Sequence, residues 1–386
     1  MDFELTLEER EFEEEVHGFF ESQDITEKAR EEFESGISTG PFTRELWKRL
    51  GEKGWICPHW PKKYGGLELS LVHRYILEEA HSYFGTHSNV VASGMAGPVI
   101  LRNGTDEQRD EFLLRIAKGE IEFALGYTEP QAGSDLSAID IRADEADDHF
   151  ILNGQKLFNT GCHYSDYHWL LVRTEKAKPR YKGLSFLIVD LNSPGITVKP
   201  IWVMGGTKGG SHRTNEVYYD NVKVPKERMV GQKNKGFYML MEALSYERNF
   251  PAAQLQRHLA EFVDWLKESG KSKDPIIRQR VAELRIDVEF INLMAMRIAW
   301  ILQRGDAPDV EAALAKTKWY QFMEDLANLG VDVLGPFGLL HRDSRWATWS
   351  GQPEWLFRDF LFFRVAAGTP EIMWNIVAQR GLGLPR

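Results

Sequence analysis

Two short stretches of the sequence combine residue types that could hold a planar, partly charged ligand. The first is ALGYTEPQAGSD at residues 124–135, where a Thr-Glu-Pro corner precedes small and hydroxyl-bearing residues. Proline fixes its own φ, and Gly133 lets backbone approach a ligand closely, so N–H groups can face a phosphate or the edge of a heterocycle. The same composition also fits a plain β-turn. The stretch therefore predicts a turn, which either binds a ligand or only reverses the direction of the chain.

The second stretch, KLFNTG at residues 156–161, places an aromatic ring two residues from a hydroxyl group. Alternate side chains of a β-strand point to the same face, so Phe158 and Thr160 are predicted to share one face of a strand. An aromatic wall beside a hydroxyl suits a flavin ring, which needs a stacking surface and a hydrogen-bonding partner. The second stretch thus favours a ligand-binding role for the first stretch.

The elements that must position these stretches follow the order helix, β, helix. Capping boxes open helices after Thr6 and Thr105, and the second of these helices is predicted to end at Gly119. In the middle of the chain, short β-rich runs are separated by Gly, Asn, Asp and Pro, as in a small β-barrel or sandwich. Long helical patterns follow. We expect three units, at 1–120, 121–232 and 233–386.

The composition excludes several classes of protein. Hydrophobic residues make up 43% and charged residues 27% of the 386 residues, as in an ordinary globular protein, and the net charge of −10 argues against nucleic-acid or anionic-membrane binding. The longest apolar helical run is broken by Arg297, so no membrane span is expected. The eleven histidines lack metal-ligand spacing, and no metal is expected. Two isolated cysteines, Cys57 and Cys162, and the lack of an export signal indicate a cytoplasmic protein.

Five motifs, in order along the chain, resemble those of the acyl-CoA dehydrogenase family. They are YTEPQAGSD, LNGQKLFNTG, EVYYDNVKVP, ALSYERN and FRVAAGTPEIMWNIVAQRGLG, from roughly residue 40 to the C-terminus. The resemblance implies a fold that is mostly α with a β middle domain: an N-terminal helical domain, a central β-barrel and a C-terminal four-helix bundle. It also implies FAD, held between the domains and a neighbouring subunit.

The resemblance assigns cofactor roles to particular residues. Tyr127 and Thr128 line the pyrimidine side of the flavin, Phe158 packs against the ring, and Thr160 approaches N5. The other implied cofactor contacts are Gly133, Ser134, Thr369 and Glu371.

The resemblance also assigns residues to the acyl-CoA substrate. They are Ser134, Tyr246, Arg248, Gly94 and Gly97. Because the residues around the two glycines are small where family members build the acyl pocket, we expect a bulky or branched acyl group. Helix packing would explain small residues equally well.

The catalytic base is expected at an uncommon position. In the family, a carboxylate removes the α-proton of the thioester while a hydride leaves for the flavin, and most members carry this glutamate where Ala367 stands here. A second position, used by the isovaleryl and long-chain branches, aligns with Glu247. This residue lies at the edge of an apolar helical face, although a solvated or arginine-paired glutamate would fit as well. The backbone N–H of Ala367 can still polarise the thioester carbonyl.

The sequence differs from the family pattern in the elements that bind the FAD diphosphate across a subunit interface. The Arg-x-x-Phe-Gly element and its following Gln are absent, and Gln-x-x-Gly-Gly is replaced by Asp332-Val-Leu-Gly335-Pro336. An aspartate near a diphosphate adds repulsion. We therefore expect a heterotetramer with a paralogous subunit that supplies the grip. The alternative is a homotetramer in which Arg278 or Arg280 replaces it.

The sequence thus predicts an FAD-dependent acyl-CoA dehydrogenase that passes electrons to an electron-transfer flavoprotein. Two other functions remain open. The chain could be a non-catalytic subunit that completes a partner's FAD site, or a flavin oxidase or monooxygenase on the same fold. Rapid reoxidation of the reduced enzyme in air would indicate the last of these.

Overall fold

The computed structural model describes residues 3–35, 39–205, 211–247 and 250–385, with only the backbone at 211–212 and 245–247. The first unit is helical: α1 Leu7–Ser22, α2 Asp24–Glu34, α3 Pro41–Glu52, α4 Leu71–Phe84, α5 Gly97–Asn103 and α6 Asp106–Ala117, with a 3-10 turn at Lys62–Tyr64 and a π-helix at Val91–Ala96. Both capping boxes are present, at Thr6 and Thr105. Helix α6 ends before Gly119, whose φ of 67° requires glycine's freedom.

The β-rich middle of the chain forms one eight-stranded sheet. The strands are β1 Phe123–Gly126, β2 Arg142–Glu145, β3 His149–Lys156, β4 Tyr167–Arg173, β5 Leu184–Asp190, β6 Ile196–Val203, β7 Ser211–Pro225 and β8 Met229–Val230. Their order is β6-β7-β3-β2-β4-β5-β8, and β1 pairs in parallel with β4. Strand β4 is buried on both faces: Leu170 and Val172 enter the sheet's own core, while Trp169 and Leu171 pack with the N-terminal helices.

Helices return after the sheet and continue to the C-terminus. They are α7 Gly236–Glu247, α8 Ala253–Glu268, α9 Pro275–Gln303, α10 Asp309–Leu334, α11 Gln352–Val365 and α12 Pro370–Ile376. Short 3-10 turns lie at Leu136–Ala138, Arg180–Gly183, Lys226–Arg228, Lys271–Lys273, Gly335–Leu339 and Trp349–Gly351, and a π-helix lies at Val377–Gly381. Helices α8 to α11 surround a second core that includes Phe262, Ile291 and Phe322.

The architecture confirms the expected fold class, which is mostly α with a β middle domain. Within the described ranges, no helix is both long and apolar enough to cross a membrane. The sheet lies between two helical units in chain order, and the two helical units also contact each other directly, with α4 against α8 and α9.

Candidate active site

The Thr-Glu-Pro corner is a tight turn, as predicted. Glu129 and Ala132 exchange two backbone hydrogen bonds of 3.0 Å each, which close the chain around Pro130. Just beyond it, Gly133 and Ser134 are exposed. A side chain built at Gly133 would meet no atom of the chain within 4 Å, so this edge of the turn is open to a ligand.

A buried ion pair joins this turn to strand β3. The Lys156 ammonium donates to the backbone carbonyl of Tyr127 and to Oε1 of Glu129, both at 2.9 Å. The two charged residues are only 1% and 3% exposed. Burial lowers the pKa of Lys156 to about 8, while the attraction of Glu129 opposes the shift. Lys156 therefore remains mostly an ammonium at neutral pH. Neither residue was assigned a role from the sequence.

The strand geometry predicted for Phe158 and Thr160 is wrong. Strand β3 ends at Lys156, and Thr160 lies in a turn. Beyond the strand, Asn159 donates from its backbone N–H and its side-chain Nδ2 to the carbonyl of Asn215 on β7, at 2.9 and 3.1 Å. The Asn215 amide returns a bond of 3.0 Å to the carbonyl of Asn159. These bonds hold the chain beside β7 after the regular strand has ended.

Phe158 sits in this turn with φ of 59°, in the left-handed region that is costly for a side chain by about 1–2 kcal/mol. Such a conformation persists where the surroundings over-determine it, often at binding sites. The adjacent Leu157 N–H donates to the carbonyl of Thr128 at 2.9 Å, which brings the two stretches together. The Phe158 side chain is 55% exposed, beside a half-buried Thr160.

We call these two joined stretches, residues 126–134 and 156–161, the double wall. It offers an exposed aromatic ring, two hydroxyl-bearing threonines and an open glycine edge on a backbone fixed by a buried ion pair. These groups match what a flavin requires: a stacking surface, hydrogen-bonding partners for the ring edge, and a close backbone approach. The residues present therefore fit FAD.

The loop between α11 and α12 is fixed by a second buried lysine. Lys316, 1% exposed, donates to the carbonyl of Arg364 at 3.2 Å and to that of Gly368. Between these carbonyls lies Ala367, which has φ of 55°. The loop therefore has a defined, left-handed geometry at Ala367, the position that the resemblance aligned with the common catalytic glutamate.

The residues after this loop open helix α12. Thr369 is its N-cap and is half-buried, and Glu371 is exposed in the first turn. The pKa of Glu371 is lowered by its own backbone N–H and by the Thr369 hydroxyl, so the carboxylate is charged at neutral pH. Their predicted contacts with the cofactor remain predictions.

The predicted base lies at the end of helix α7. Glu247 is the last residue of this helix, but its side chain and that of Tyr246 are not described, and Arg248 lies outside the described residues. Helix α7 packs against the π-helix at Val91–Ala96, which carries Gly94. The backbone therefore brings the helix of the predicted base to the segment predicted for the acyl pocket.

The glycines of that segment do not provide free volume. A side chain at Gly94 would collide with the Arg74 guanidinium, and one at Gly97 would collide with the Trp60 indole. Arg74 is itself fixed by a 3.0 Å bond from Nη1 to the carbonyl of Ser93. The expectation that these two positions leave room for an acyl group is corrected: the protein's own side chains occupy that space.

The altered diphosphate region contains an ion pair that the sequence did not reveal. Arg280 on α9 donates to Asp332 on α10 at 2.7 Å, and both side chains are partly exposed. The charge of Asp332 is therefore offset by Arg280, one of the two arginines considered as replacements for the missing diphosphate contacts. Arg278, on the same helix, is exposed. Over the described residues, no group of three or more His, Cys, Asp or Glu residues could hold a metal ion.

The double wall fits a flavin, and comparison with known proteins identifies the family of the chain. Three family models match in order: the acyl-CoA dehydrogenase N-terminal domain at residues 6–120, the middle domain at 124–222 and the C-terminal domain at 234–382. The chain belongs to the acyl-CoA dehydrogenase family, whose members are FAD-dependent enzymes acting on CH–CH bonds. FAD is therefore its cofactor.

Several relatives resemble the chain over most of its length. The acyl-CoA dehydrogenase IpdE1 of Mycobacterium tuberculosis is 32% identical over 357 residues, covering 89% of this chain and 88% of the relative. A solved Tcur3481-Tcur3483 steroid ACAD matches with a TM-score of 0.91 and 30% identity, covering 100% of both chains. A chain of the ChsE4-ChsE5 complex from Mycobacterium tuberculosis matches with a TM-score of 0.88 and 29% identity, again covering 100% of both chains.

Proposed function

We propose that the protein catalyses α,β-dehydrogenation of an acyl-CoA thioester, with Glu247 as the base that removes the α-proton. The double wall is the observation that supports this most directly, because it presents the residues expected to contact FAD on a rigid backbone. When bound there, FAD supplies the acceptor for the β-hydride. With alanine at position 367, Glu247 is the carboxylate at a position that the family uses for the base.

Other residues of the chain would bind and polarise the substrate. The Ala367 N–H would donate to the thioester carbonyl, a role that needs only the loop geometry maintained by Lys316. Ser134, on the open edge of the turn, and Tyr246 and Arg248, flanking the base, would contact the CoA side.

A direct test adds acyl-CoA thioesters to the enzyme in the absence of oxygen and follows the flavin absorbance. Bleaching with formation of the enoyl-CoA is expected. We propose a bulky or branched acyl group, which is supported by the similarity to a steroid ACAD rather than by the two glycines. Ring-bearing thioesters should therefore bleach the flavin faster than butyryl-CoA, and the opposite order would contradict this choice of substrate.

We infer that the working enzyme is a heterotetramer with a paralogous subunit, and that an electron-transfer flavoprotein reoxidises it. The absent diphosphate elements support this inference, as does similarity to a subunit of the ChsE4-ChsE5 complex. Counting FAD per subunit tests it. The chain purified alone should be poor in flavin, and co-expression with the paralogue should restore binding. A homotetramer with one FAD in every subunit would contradict it.

A non-catalytic role is the second candidate, because Ala367 stands where most members carry the base. In that case the chain would only complete the partner's FAD site. The two functions differ in one outcome: changing Glu247 would leave turnover of the assembled enzyme unaltered if the chain were non-catalytic.

A further inference from the structure

One buried histidine, His168 on strand β4, contacts both parts of the double wall. It is fully buried, and its Nε2 lies 2.9 Å from Oδ1 of Asn159. Its Nδ1 is hydrogen-bonded to the hydroxyl of Tyr219 on β7. The same ring lies over Gly126, where an added Cβ would stand 2.7 Å from Nε2. Only glycine leaves room for the imidazole at that position.

The hydrogen-bond partners determine where the proton of this histidine resides. Because Nδ2 of Asn159 donates to the carbonyl of Asn215 at 3.1 Å, the atom facing His168 is Oδ1, which can only accept. The Nε2 atom must therefore carry a proton. Burial lowers the pKa of His168 to about 3, so the ring is neutral and Nδ1 accepts from the Tyr219 hydroxyl. The result is a directed chain from Tyr219 through His168 and Asn159 to the backbone of β7.

We propose that His168 is a positioning residue that sets the geometry of the flavin's binding wall through its Nε2–H bond to Asn159. The proposal rests on the proposed function, in which the double wall holds FAD. His168 is fully buried, and its effect passes through the two wall residues that it contacts, Asn159 and Gly126.

The placement of these two residues makes the effect specific. Asn159 lies between Phe158 and Thr160, so its orientation determines the positions of the exposed Phe158 ring and of the Thr160 hydroxyl. On the other side, Gly126 immediately precedes Tyr127 and Thr128 in the chain. The neutral imidazole, hydrogen-bonded at both nitrogens, thus fixes the distance between the two stretches of the double wall. It does so without adding a charge near the proposed FAD site. The strained φ of 59° at Phe158 is the conformation that this chain of bonds maintains.

Two conservative variants separate the roles of the two ring nitrogens. His168→Gln keeps a donor near the Nε2 position, within reach of Asn159. His168→Asn keeps only an acceptor near the Nδ1 position, for Tyr219. Both variants are compared in the assembled, co-expressed enzyme by FAD dissociation constant, flavin absorbance spectrum and flavin reduction potential. We expect the Gln variant to match the wild type, and the Asn variant to bind FAD about tenfold more weakly with an altered spectrum and potential.

A matched control distinguishes positioning from simple stability. His81 is an equally neutral buried histidine in the helical unit, with Nδ1 bonded to Thr86 Oγ1 at 2.8 Å. His81→Gln should lower the unfolding midpoint and leave the flavin spectrum and potential unchanged. Equal effects of the Gln and Asn variants at position 168, or no effect of either on the flavin, would overturn the proposal. A wild-type assembly that binds no FAD would instead contradict the proposed function and the inference with it.

A measurement on the unmodified enzyme covers the case in which the variants fail to fold. Selective ¹⁵N labelling of histidine reports the tautomer of each ring by NMR. His168 should remain neutral from pH 5 to 8, with the proton on Nε2 and slow exchange with water. A proton on Nδ1 would remove the donor to Asn159 and overturn the proposal.

Discussion

The ion pair beneath the double wall makes a quantitative prediction about stability. Lys156→Met keeps the length of the side chain but removes the donor shared by Tyr127 and Glu129. Breaking a buried ion pair from one side costs about 3–5 kcal/mol, because the remaining charge stays buried. Glu129 would retain three donors: the N–H groups of Asp140 at 2.6 Å and Ile141 at 3.0 Å, and the Gln131 amide at 2.6 Å. We therefore expect Lys156→Met to lower the free energy of unfolding by about 3 kcal/mol, near the lower end of this range.

The assay is urea unfolding of Lys156→Met, Glu129→Gln and the double variant, with FAD affinity measured in parallel. Removing the second charge should recover part of the loss, so that the cycle yields a coupling free energy of about 2 kcal/mol. Lys267→Met serves as the control, because Lys267 forms an exposed pair with Asp264 at 2.8 Å. The control should change stability by under about 1 kcal/mol. A loss below that value for Lys156→Met, with no recovery in the double variant, would refute the reasoning.

Three further variants probe the site and its surroundings. Burial raises the pKa of Glu122, the residue before β1, to about 8, so the stability contributed by its protonated form is present below pH 4.5 and lost as pH rises through 8. The unfolding free energy of the wild type relative to Glu122→Gln should therefore fall between pH 5 and 9 in urea titrations; a constant difference would contradict this. Thr160→Val should weaken FAD binding by about 1 kcal/mol and alter the flavin spectrum, and an unchanged spectrum would remove Thr160 from the site. Lys316→Met removes two bonds from the Ala367 loop and should lower kcat more than it raises KM in steady-state assays; an effect on KM alone would show that the loop serves binding only.

Local sequence signals predicted the elements well. The capping boxes at Thr6 and Thr105 were found because each involves residues three apart, and the β-rich runs were found by their composition. The tight turn after Thr128 followed from its proline and small residues. Each of these features depends on contacts within a few residues.

Features that depend on distant partners could not be predicted in the same way. The strand assigned to Phe158 was wrong because β3 ends at Lys156 and Phe158 has a φ of 59°, which no pattern of neighbouring residues indicates. The room above Gly97 is filled by Trp60, which no local pattern indicates. For Lys156 there was one local signal. It is separated by an even number of residues from the buried Phe150 and Leu152 on β3, so its side chain is expected on the same face of the strand. A lysine on the inward face of a strand requires a buried acceptor, and this signal could have led to Glu129.

We propose that Glu247 removes the α-proton at a site whose flavin is bound by the double wall. The most direct measurement is the rate of flavin bleaching by acyl-CoA, without oxygen, in the co-expressed assembly carrying Glu247→Gln. We predict a full complement of FAD, unchanged acyl-CoA binding, and bleaching slowed by about 10³-fold or more. Adding Ala367→Glu, which restores a carboxylate at the common family position, should recover part of the rate. Bleaching of Glu247→Gln at nearly the wild-type rate would contradict the account.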